Sequence, residues 1–129
     1  LGLATAWLDD EQAALAHADA CLATSPPHLA PRLPAQLGAG IRGRLALLQG
    51  RPEETLRQLD GLGWPGWPEL ALWSPFHGHA AERLLRAEAL AALGRRAEAE
   101  SWARGLGQRS PYDLAFRGEA VRLGLIPAN

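Results

Sequence analysis

Ala87-Glu88-Ala89-Leu90-Ala91-Ala92-Leu93-Gly94-Arg95-Arg96-Ala97-Glu98-Ala99 is the stretch whose reading decides the fold. A small residue, Ala87, stands twelve positions before another, Ala99, with a glycine-arginine turn between them. The same spacing joins Gly43 to Thr55 across Gly50-Arg51, and Gly2 to Ala14 across Asp9-Asp10. Two helices folded back around a short turn bring such positions face to face, and small residues there let the backbones pack at close approach. Repeated along a chain, the unit reads as a stack of helical hairpins.

Composition agrees with an all-α chain. Alanine, leucine, arginine and glutamate dominate the 129 residues, while Ile41, Val121 and Ile126 are the whole set of β-branched aliphatics. That length suits one compact domain or about three stacked helical pairs. All thirteen basic residues are arginine, set against fourteen acids for a formal charge of −1. Neutralising phosphates needs a basic footprint that is absent here, so nucleic acid is not an expected partner. A lone cysteine, Cys21, forms no intrachain disulfide and reads as a small side chain within a helix, compatible with a reducing compartment. No apolar run reaches the roughly 18 residues of a membrane span and no signal-peptide pattern opens the chain, so a cytoplasmic protein without a membrane partner is expected. Leu1-Gly2-Leu3-Ala4 reads as the interior of a helix, and the chain therefore as a piece of a longer protein, whose targeting signals can lie elsewhere.

Along the chain, Leu1 to Leu8 is read as the tail of a helix, with Asp9-Asp10 as turn and acidic entry to a second helix that ends near Thr24 before Ser25-Pro26-Pro27. A third helix from about Pro34 carries Leu37, Ile41, Leu45 and Leu48 on one face. Gly50 is placed to end it in the left-handed conformation, Pro52 to open the next helix, and Leu56, Leu59 and Leu62 to form the buried stripe of that helix. Gly61 to Pro68 holds too many breakers for a helix. The longest helix is expected from Phe76 to Leu93, closed by Gly94, with Ala97 to Leu106 returning and a last helix over Pro111 to Leu123 ending at Gly124.

The phrase resembles the tetratricopeptide repeat. On that pattern Gly2, Gly43 and Ala87 take the first small position, Gly50 and Gly94 the turn, Ala14, Thr55 and Ala99 the second small position, and Pro26 and Pro111 close the unit. The copies are 41 and 44 residues apart, so the loops are longer than in the family, and Arg42 and Arg86 stand where the family has leucine. The resemblance implies a right-handed stack over 1–129, with a truncated repeat at 1–28, repeats at 34–69 and 76–110 and a terminal helix at 111–124. It extends to modules of this kind appended to bacterial protein kinases and transcriptional regulators. In that fold the first helices line a concave groove, which places Trp7, Arg44, Leu48, Leu84, Glu88 and Arg122 against a bound peptide or helix.

Chemistry offers fewer candidates. His77-Gly78-His79 with Glu82 supplies metal-ligating groups, but residues two apart on a helix diverge, and a ligating pair normally sits four apart. No metal or other cofactor is expected. Ser25, Ser74, Ser101 and Ser110 lack a nucleophile's setting, and capping accounts for those beside prolines and helix starts. Trp64, Trp67 and Trp73 form either an aromatic patch for a partner or a cover over the alanine-rich core, and large apolar surface is seldom left open. Trp7 and Trp102 fall on helices, as core or groove residues. Arg42, Arg83 and Arg86 lie on first helices, either clamping a partner's carboxylates or on a solvated face, the latter being commoner for any one arginine.

These observations favour a non-catalytic protein-interaction module. Its rivals are a spacer or self-associating module, with Leu1, Leu3, Ala4 and Trp7 exposed along an unfinished edge, and a small-molecule sensor with a pocket near the tryptophans.

Overall fold

The computed structural model describes residues 10–23, 32–61, 80–106 and 113–128. Six helices occupy them: α1 Glu11–Ala23, α2 Arg32–Leu48, α3 Pro52–Asp60, α4 Ala80–Ala92, α5 Arg96–Arg104 and α6 Asp113–Arg122. Among the described residues there is no strand, and the fold class is all-α. The chain gathers into two compact units, Leu1–Pro65 and Gly66–Asn129, which divide inside the breaker-rich tryptophan stretch.

The ends of the helices follow from local chemistry. Asp10 accepts the Ala13 amide at 3.0 Å, capping one of the donors that the first turn of α1 leaves without a helical partner. The helix read from Pro34 begins two residues earlier, at Arg32. Proline is tolerated there because first-turn amides have no intrahelical acceptor. Gly50, Gly94 and Gly124 all take left-handed φ, at 72°, 74° and 66°. Each donates its amide three residues back, to Leu47, Ala91 and Val121, while the following residue donates five back, to Ala46, Leu90 and Ala120. This pair of bonds satisfies carbonyls that the helix end would otherwise leave open, and a Cβ would strain the backbone that makes it.

In the first unit α2 packs against both α1 and α3. Ala14 and Ala18 of α1 are fully buried in a cluster with Ile41 and Leu45 of α2. Gln49 Nε2 donates to Glu11 at 2.8 Å, and Arg42 pairs with Asp19, so the polar edges of α1 and α2 are tied as well. The small pair between α2 and α3 behaves as its spacing predicts. Gly43 is buried, Thr55 is fully buried, and the Thr55 hydroxyl donates to the Gly43 carbonyl at 2.9 Å. A side chain that short reaches the facing backbone only where the helices nearly touch. Thr55→Val keeps the shape and removes this bond, so it should cost about 1–2 kcal/mol in urea unfolding, with Thr55→Ser closer to wild type.

The second unit packs α4 against α5 and α6. Ala87 and Ala99, the pair that opened the sequence reading, both have no exposed surface. At the turn between them Arg95 Nε and Nη2 each lie 2.7 Å from a Glu98 carboxylate oxygen, and these hydrogen bonds hold that carboxyl below the usual range. Leu106, just past α5, is fully buried. α5 covers Arg96–Arg104 where the sequence suggested Ala97 to Leu106, and α6 covers Asp113–Arg122. The longest helix among the described residues is α2, with 17. The expected start at Phe76, like Gly2, Pro26 and Pro111, lies outside the described residues.

Candidate functional site

Of the six groove residues inferred from the resemblance, Trp7 lies outside the described residues, as do Trp64, Trp67 and Trp73. The other five divide between the two units. In the first, Leu48 at the end of α2 is 50% exposed, an uncommon placement for leucine, whereas Arg44 on the same helix is buried. In the second, Leu84 is 2% exposed and so faces the interior of the protein, while Glu88 is half-buried and Arg122 exposed.

Arg122 is held by a neighbour on its own helix. Arg122 Nε donates to Glu119 at 2.8 Å, with a second bond from Nη2 to the other carboxylate oxygen. That bonding and then the charge of Glu119 raise the guanidinium above its ordinary value, against the opposing effect of burial, with the charge of Glu88 the least of the contributions. Glu88 lies on α4 and Arg122 on α6, two helices that pack on each other.

The arginines on first helices are not a uniform solvated face. Arg83 is buried, and a methyl group on Gly105 would fall 1.8 Å from its Nη2, so the guanidinium rests on bare backbone at the C-terminal end of α5. A cation suits that end of a helix, where carbonyls point outward. Arg86 stacks over the Trp102 ring, 4.8 Å from its centroid, and joins α4 to α5 by a cation–π contact. Arg42, half-buried like Arg86, pairs with Asp19.

Sequence reasoning passed over two further features. Arg96 donates to the Gly124 carbonyl and, at 3.1 Å, to Glu100, fastening the segment after α6 along α5. Beside it lies an open cleft of about 460 Å³ lined by Glu100, Arg104 and Gly124, Leu125, Ile126 and Pro127. The signal was present as Arg96 and Glu100 at helical spacing, but nothing local announces which distant carbonyl an arginine will reach.

Comparison of the chain with family models, with curated proteins and with solved structures finds no match. Among the described residues, no group of three or more histidine, cysteine, aspartate or glutamate side chains is placed to hold a metal ion, and His77 and His79 lie outside them. No helix among them is long and apolar enough to cross a membrane.

Proposed function

We propose that this chain is a non-catalytic protein-interaction module that holds a peptide or helix of a partner protein on the surfaces of its first helices. The observation that carries the reading is the reuse of one hairpin plan, with Gly43, Gly50 and Thr55 in one unit and Ala87, Gly94 and Ala99 in the other. A plan that spends its small residues on joining helices leaves the outward side chains of the first helices to vary, which is how repeat arrays acquire binding surfaces. In the first unit Leu48 offers an exposed apolar anchor, and in the second the exposed Arg122 and half-buried Glu88 offer charged groups that can register a partner. Arg44 and Leu84 are each buried within their own unit and serve there by fixing the helix that carries them.

The test is photo-crosslinking in cells with a benzophenone amino acid at Leu48, at Arg122 and, as control, at Arg57 on the exposed side of α3. Discrete adducts to another protein at the first two positions and none at Arg57 are expected. Equal labelling at all three, or no adduct at either Leu48 on α2 or Arg122 on α6, overturns the assignment. Self-association is a second reading because, among the described residues, Leu15 of α1 and Leu114 of α6 are exposed.

A further inference from the structure

We propose that α1 is a releasable cover: it lies along the α2 stripe that ends at Leu48, and an amphipathic helix of the partner protein displaces it. α1 then controls access to the anchor that the preceding reading assigns to a partner, on which this proposal rests.

The stripe is continuous in sequence and divided in the structure. Ile41, Leu45 and Leu48 follow one another at helical spacing, which sets them on one side of α2. Ile41 and Leu45 are buried in a cluster with Ala14 and Ala18 of α1, whereas Leu48 is half exposed. The ties from Gln49 to Glu11 and from Arg42 to Asp19 run the two helices antiparallel, with the start of α1 beside the end of α2. A helix seated on an apolar surface uses several anchors, spaced three or four residues apart. Leu48 alone supplies one, and the next two along its stripe lie under α1.

The two helices that flank α2 are held on it unequally. α3 packs there with Leu56 and Leu59 buried and with the Thr55 hydroxyl bonded to the Gly43 carbonyl. Among the described side chains of α1, only Ala14 and Ala18 are buried. Two methyl groups remove far less apolar surface from water than two leucines do. The polar ties add little, because both lie at the surface, where such contacts contribute weakly. Elements held in this way open locally, well short of global unfolding, and a ligand that binds the open state shifts the population toward it. The chemistry of the incoming helix follows from what α1 gives up. It carries apolar side chains larger than alanine over Ile41 and Leu45, and beside them a carboxylate that takes the place of Asp19 on Arg42.

Native-state hydrogen exchange of the full chain, in urea well below the unfolding transition, reads the release without any partner. The amides of α1 should exchange through an opening of shallow urea dependence while those of α2 and α3 stay protected. Ala18→Gly removes one contact methyl and lowers helix propensity, so it should speed α1 exchange about fivefold or more and leave α3 unchanged. Exchange of α1, α2 and α3 together with one urea dependence overturns the proposal, as does a variant that speeds all three alike. A second arm repeats the photo-crosslinking at Leu48 in the Ala18→Gly chain, with Arg57 again as control. A higher adduct yield at Leu48, and none at Arg57, is expected. If α1 opens and the yield at Leu48 does not change, α1 is no cover and this proposal alone fails. If α1 opens and neither chain gives an adduct at Leu48, the assignment of that anchor to a partner fails and takes the cover with it. Asp19→Asn, which removes the charge pair with Arg42 and leaves Ala14 and Ala18 in place, serves in both arms if Ala18→Gly does not fold.

Discussion

Truncating Leu106 to alanine is expected to destabilise the second unit by about 2–5 kcal/mol, the cost of deleting a buried leucine side chain and leaving a cavity. Leu106 has no exposed surface, and among the described residues it is, with Thr55, the largest side chain buried to that degree. Its amide donates to Ala103 at 3.0 Å, so the backbone that carries it is fixed by the end of α5 and the surroundings cannot easily close over the void. Two neighbours add to that rigidity: the Arg83 guanidinium rests on Gly105, and Ala103 is itself fully buried. Urea unfolding followed by tryptophan fluorescence provides the measurement, because Trp102 lies in the same unit. A loss below about 1 kcal/mol would mean that the site collapses freely and that Leu106 does not anchor the unit.

What could be read before folding, and what could not, separates along physical lines. Turn glycines and helix ends are decided within a few residues, and Gly50, Gly94 and Gly124 each take the left-handed conformation their positions imply. Small residues facing each other across a short turn are nearly as local, which is why Thr55, Ala87 and Ala99 are buried as expected. Arginine is different. Its long apolar stem and forked head let it lie on a surface, cover a backbone or stack on a ring, and the distant partner decides which. Arg83 ends on Gly105, Arg86 on Trp102 and Arg96 on Gly124, three outcomes for one residue type in neighbouring helices.

The candidate surface was legible to the same extent and no further. Leu48 is exposed, as a partner-binding position must be, because it lies in the last turn of α2 beside a local stop signal. Leu84 is buried and Glu88 is half-buried although they lie four residues apart on one helix, a difference that the spacing alone does not contain. Glu88 and Arg122 are 34 residues apart in sequence, on two helices that pack on each other.

Replacing Ala99 with leucine should cost about 1–3 kcal/mol, because three extra carbons must enter a contact that has no room for them. The substitution also changes helix propensity, so the same change is needed where packing plays no part. Ala97 supplies it: it lies on α5, two residues away and exposed, whereas Ala99 has no exposed surface. Leucine and alanine are both good helix formers, so Ala97→Leu should stay within about 0.5 kcal/mol of wild type. The difference between the two variants then isolates the close approach of α4 and α5. Ala87→Gly in the Ala99→Leu background sharpens the argument, since removing the facing methyl gives back part of the missing space. If Ala87 and Ala99 meet at the helix crossing, the second substitution should recover some of the loss in spite of glycine's own helix penalty of about 1 kcal/mol, and the two effects should be non-additive. Strict additivity would place the two alanines in separate contacts, and the twelve-residue spacing from which the fold was read would have lost its physical basis in this hairpin.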